Sequence, residues 1–111
     1  MIVSYKVAKY LQSIGYHNDC KKEYWGGVLH NFSDSYRPLE NTYAAPDIIE
    51  ALDWISEKTL YNITIEKYDG KYHAIVGEDG STVVQCLEFF NKPSESINSA
   101  LEYIALKALE S

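Results

Sequence analysis

The chain has 111 residues, 46% of them hydrophobic and 23% charged, with a formal net charge of −6. That size and composition predict one globular domain over residues 1–111 and argue against a disordered or low-complexity chain. Residues 1–43 carry five Lys/Arg against four Asp/Glu and residues 44–111 carry five against twelve, so nucleic acid, which needs a basic surface, is not the expected partner.

Residues 4–14 read as a helix. Val3, Val7, Tyr10, Leu11 and Ile14 share one face at 100° per residue, with Ser4 as N-cap. Gly15 stands where a left-handed C′ residue belongs, with Tyr16 free to pack back over the last turn. Lys21–Trp25 and Val28–Phe32 read as a hairpin about Gly26-Gly27, and the polar stretch from Ser33 to Tyr43 as a loop.

A second helix follows, with Pro46 at its first position and Asp47 and Glu50 near its positive end. Ile48, Ala51, Leu52 and Ile55 form its apolar face, Glu50, Asp53 and Glu57 the opposite one, and it fades near Lys58–Thr59. Tyr61, Ile63 and Ile65 alternate with polar residues into the hairpin signal Asp69-Gly70. Lys71–Val76 is the return strand, and Ser81–Leu87 a third strand beyond a Gly77–Gly80 turn. The last helix is read from Ser94, as cap, to Leu109, with Ile97, Ala100, Leu101, Ile104, Ala105 and Ala108 inward and Leu106 outward.

The order α-β-β-α-β-β-β-α predicts an α+β fold, an antiparallel sheet with helices packed on one face. Leu11, Leu52, Ile55, Leu101 and Ile104 are the expected core. No apolar run approaches the roughly 20 residues that span a bilayer. The N-terminal residues lack the apolar stretch of a signal peptide. Two cysteines, Cys20 and Cys86, are too few for a disulfide framework. The expectation is a cytoplasmic protein with both thiols reduced.

Three pieces of sequence carry a resemblance. They are Tyr5-Lys6-Val7-Ala8-Lys9-Tyr10-Leu11 ending in Ile14-Gly15-Tyr16, then Ala45-Pro46-Asp47 leading into Ala51–Lys58 and Tyr61-Asn62-Ile63, and last the Ala-rich helix from Ser94 to Leu109. In order and spacing the chain resembles a group of small proteins of bacteriophages, prophages and gut bacteria. It departs from them in placing His17-Asn18-Asp19 before Cys20 rather than an acidic-Pro pair. The resemblance implies a phage-type accessory protein and carries over no catalytic residues.

Chemistry-bearing patterns are sparse. His17-x₂-Cys20 is one ligand pair where a structural zinc site needs two, so no metal and no cofactor is expected. Gly26-Gly27 and Gly77-x-x-Gly80 are hairpin glycines rather than a phosphate cradle. The acidic ridge Glu50, Asp53, Glu57 reads as a solvated helix face. An aromatic group, Tyr24, Trp25, Phe32, Tyr36 and Tyr43, crowds the least regular segment of a chain holding ten tyrosines. Such residues in loops and irregular hairpins are favoured at contact surfaces. The functional expectation is a non-enzymatic binding protein working through Tyr24, Trp25 and Tyr36, its partner a host protein or a second copy in a homodimer. The alternative is a small enzyme using Cys20 or a histidine as reactive group.

Overall fold

The computed structural model describes residues 1–31, 38 and 40–110, the last two of these by their backbone alone. Its elements are α1 (Tyr5–Ser13), β1 (Lys22–Trp25), β2 (Val28–Asn31), β3 (Thr42–Ala44), α2 (Ile48–Lys58), β4 (Tyr61–Tyr68), β5 (Lys71–Glu78), β6 (Val84–Cys86) and α3 (Pro93–Glu110). The fold is α+β with antiparallel strands in the order expected, and β3 is added to it. Among the described residues the strands form two three-stranded sheets, β2-β1-β3 and β4-β5-β6, where the sequence suggested one. None of the described helices is long and apolar enough to cross a membrane.

Helix α1 starts where the side chain of Ser4 accepts the Val7 N–H. It stops in a Schellman turn: Gly15 takes φ 97°, Gly15 N–H donates to Gln12 C=O and Tyr16 N–H to Leu11 C=O. That turn folds the Tyr16 ring inward, where it is buried against the edge of Trp54 with ring centroids 5.1 Å apart.

Gly26 and Gly27, at φ 57° and 91°, close the β1–β2 hairpin in the conformation that a two-residue turn requires. Strand β3 lies in the stretch read as a loop. Three residues are too short for alternation to show, and what makes them a strand is pairing with β1: Glu23 opposite Ala44, Tyr24 opposite Tyr43, Trp25 opposite Thr42.

Two helix starts differ from expectation by two residues. Helix α2 begins at Ile48, not at Pro46, and Asp47 caps it, its carboxylate accepting the Ile49 N–H at 2.9 Å. Pro46 instead sits buried just outside the helix, its carbonyl accepting the Val3 N–H. Pro93 is the first residue of α3, so Ser94 lies inside the helix rather than capping it. Both outcomes follow from proline's fixed φ and missing N–H, which suit either the first helical position or the residue before a cap.

Strands β4 and β5 pair without interruption from Tyr61 opposite Glu78 to Tyr68 opposite Lys71, about an Asp69-Gly70 turn. Strand β6 is shorter than the predicted Ser81–Leu87. A turn at Glu78–Ser81 and the Ser81 hydroxyl accepting the Val83 N–H occupy the residues ahead of it. Alternation turns Tyr61, Ile63, Ile65, Ala74 and Val76 towards the helices. Leu11, Ile55, Leu101 and Ile104 are fully buried in the same cluster as Ala74 and Val76, and Leu52 packs half-buried against it. Among the described residues, no helix lies on the opposite face of this sheet.

Candidate functional site

Tyr24 and Trp25 project from opposite sides of β1. Tyr24 points to α1, where its ring meets the edge of Tyr5 at 5.5 Å. Tyr5 meets Tyr43 at 5.7 Å, and the Lys9 ammonium lies over both Tyr5 and Tyr43. The Tyr24 hydroxyl donates to the Val3 carbonyl at 2.8 Å. Burial, and secondarily the charge of Glu102, pushes its pKa up. Tyr24 is thus packed against the core as a structural ring.

Trp25 is half-buried on the other side. It stacks on His30 with centroids 4.2 Å apart and planes 15° from parallel. Its indole Nε1–H donates to Glu23 Oε1 at 2.6 Å, and Glu23 is a carboxylate only 3% exposed. Tyr36 and Phe32 lie outside the described residues.

Cys20 lines a small polar cleft with Tyr16, His17, Asp19, Glu23 and Thr42. Its Sγ lies 3.4 Å from the Tyr16 hydroxyl and 3.6 Å from the Asn18 carbonyl. Among the described residues no histidine bonds to it. Burial pushes the thiol pKa up; the Tyr16 hydrogen bond partly opposes this, and the carboxylates of Glu50, Asp19 and Glu23 add to the rise. A nucleophilic cysteine needs the reverse, a thiolate stabilised by positive charge or a base. Burial first, then Cys20, then Glu50 raises the Tyr16 phenol, so Glu50, read as part of a solvated ridge, also acts on this cleft. No group of three or more His, Cys, Asp or Glu among the described residues could hold a metal ion. Cys20 and Cys86 are both free of disulfides.

The open face of β4-β5-β6 did not emerge from the sequence. It carries Thr64, Glu66 and Tyr68 from β4, His73 and Ile75 from β5, and Val84 and Cys86 from β6. Phe89 folds over it, stacked on His73 at 4.4 Å and tilted against Tyr68 at 6.5 Å. His73 Nε2 lies 3.5 Å from Glu66, while its Nδ1 is buried with no partner among the described residues. Tyr68 is 72% exposed, and Val84 and Phe89 are also largely exposed. The signal was present in the alternation: every second residue of β4 faces away from Ile63 and Ile65, and the aromatic Tyr68 ends that series.

No family model, curated protein or solved structure matches the chain.

Proposed function

We propose that this chain is a non-enzymatic binding protein of the phage accessory kind, and that the open face of β4-β5-β6 is its contact surface, with a host protein as partner. The observation that carries the reading is the uncovered face itself. Helices bury one side of the sheet, while Tyr68, Phe89 and Val84 stand exposed on the other. Apolar area gains about 25 cal/mol per Å² when covered, and adjoining exposed rings such as Tyr68 and Phe89 are characteristic of interaction sites. The resemblance to small phage and prophage proteins supports the accessory role. Trp25 remains part of the proposal as a half-exposed ring at the far sheet, but Tyr24 has a structural task. The enzyme reading has against it a half-buried Cys20 thiol among carboxylates, its pKa raised.

The test compares the wild-type protein with a Tyr68→Ser/Phe89→Ser double variant in capture from a bacterial host lysate, each captured protein then being purified and titrated directly. A partner that binds wild type as a purified protein and loses at least tenfold in affinity for the double variant is expected. A purified partner that binds both proteins equally, or turnover of a substrate that is lost in Cys20→Ser, overturns the proposal.

A further inference from the structure

Strand β4 is an edge strand, and of the devices that normally blunt one it carries only the charges of Glu66 and Lys67. It has eight residues, against three or four in the other edge strands β2, β3 and β6. It contains no proline or glycine, and its unbroken register with β5 leaves no bulge. Short length, proline, bulges and charged side chains are the usual protections of a sheet edge, and two adjacent charges of opposite sign are the least of these.

The hydrogen bonds fix which backbone groups face outward. Tyr72 and Ala74 of β5 bond across to Phe90 and Leu87, on the side away from β4. The alternating residues of β5 therefore bond to β4, and through the register these meet Asn62, Thr64, Glu66 and Tyr68. Leu60 continues that inward series, its carbonyl accepting the Asp79 N–H. Tyr61, Ile63, Ile65 and Lys67 are left with their amides at the edge. The Tyr61 N–H is taken by the Thr59 hydroxyl; those of Ile63, Ile65 and Lys67 have no bond among the described residues.

We propose that two copies of this chain pair antiparallel along β4, about a twofold axis at Thr64, and join their β4-β5-β6 sheets into one of six strands. Only an outward residue opposite an outward residue can exchange ladder hydrogen bonds. Centring on Thr64 meets that condition: Ile63 and Ile65 exchange both bonds, and the Lys67 N–H meets the free side of the Tyr61 carbonyl, each twice. On the open face Thr64 meets Thr64, a favourable cross-strand pair, and Asn62 meets Glu66. No like charges stand opposite one another, whereas centring on Glu66 would oppose two carboxylates. The same operation sets Leu60 of one copy opposite Tyr68 of the other. These are 63% and 72% exposed, and an aromatic–aliphatic cross-strand contact covers both. This proposal does not depend on the open face binding a host protein.

Sedimentation across a concentration series, with oxidative cross-linking of cysteine variants in a Cys86→Ser background, tests it. The Thr64 pair would be of the non-hydrogen-bonded kind at the seam, with Cα atoms about 4.5 Å apart, inside the roughly 4.4–6.8 Å window of a disulfide. Expected are a concentration-dependent dimer, near-complete cross-linking of Thr64→Cys, and at least tenfold less of Asn62→Cys, which would face Glu66. Thr64→Arg, which sets two guanidinium groups opposite each other on an exposed site, should raise the dimer dissociation constant at least tenfold while leaving the far-UV spectrum unchanged. A monomer at millimolar concentration overturns the proposal. So does a dimer that Thr64→Arg leaves intact, or one in which Asn62→Cys cross-links as readily as Thr64→Cys.

Discussion

The Tyr24 hydroxyl reaches across from β1 to the carbonyl of Val3, 2.8 Å away, and so ties the segment before α1 to the small sheet. Val3 is itself fully buried, and its N–H donates to Pro46. One residue is thus held from two directions, by β1 and by the entrance to α2.

Tyr24→Phe keeps the ring packing on Tyr5 and deletes only the hydroxyl. It should cost about 0.5–1.5 kcal/mol, the usual net worth of one hydrogen bond. The change in urea midpoint at constant slope measures it. An unchanged midpoint would show that the Val3 carbonyl finds water instead.

Asp47 caps α2 through the Ile49 N–H, and its second oxygen lies 3.1 Å from the Met1 amino nitrogen. The Ile49 bond first, then the amino group, holds its carboxyl below the ordinary value of 3.8. A lowered folded-state pKa contributes stability that is present above the unfolded value and lost as pH falls through the folded one. The site is exposed, so the pH-dependent part is small. Asp47→Ala should cost about 0.5–2 kcal/mol at neutral pH, as loss of a cap does. Asp47→Asn, still a good cap, should keep most of that stability and flatten its dependence on pH below about 4, near the intrinsic carboxyl range. Denaturation midpoints between acid and neutral pH decide it.

Cys20 should be the slow thiol. Its raised pKa leaves little thiolate, while Cys86 stands exposed on the open sheet face. Limited iodoacetamide labelling followed by peptide mass analysis should find Cys86 modified well before Cys20. Tyr16→Phe removes the one contact that lowers the Cys20 pKa, so at constant fold it should slow Cys20 further. Preferential labelling of Cys20 would restore the nucleophile reading.

The helices, the two hairpin turns and most of the core were legible because each rests on a local cause: a 3.6-residue apolar period, a capping side chain, a residue that tolerates positive φ. Gly15 and Tyr16 behave as their local chemistry dictates. Features fixed by distant partners were not legible. Thr42–Ala44 is a strand only because β1 lies beside it. Ser96, fully buried on α3, donates to the carbonyl of Tyr72, 24 residues earlier, and nothing in its own segment announces this. Leu52 sits on the apolar face of α2 yet is half-buried, because periodicity gives a direction and not the depth of what lies there. The aromatic group illustrates the same limit: neighbours in sequence, Tyr24 and Trp25 leave β1 on opposite sides and do different things.

Trp25 and Tyr68 can be told apart by what their loss does to the fold. Trp25→Phe preserves an aromatic ring to stack on His30 but removes the indole N–H that reaches Glu23. Glu23 is nearly inaccessible to water, so a donor withdrawn from it is not readily replaced. A buried acceptor that loses a donor costs about 1–3 kcal/mol. Tyr68→Ala removes a ring that water already surrounds, away from any cap or buried network, and such surface changes stay within about 0.5 kcal/mol. In thermal or urea unfolding at low protein concentration, where association along β4 does not contribute, Trp25→Phe should be clearly destabilised and Tyr68→Ala close to wild type. The difference would vanish if Trp25 served only as a contact ring, for then its replacement by Phe would leave the fold untouched. A large loss on Tyr68→Ala would likewise show that the open face of β4-β5-β6 is needed to hold the sheet together rather than to meet a partner.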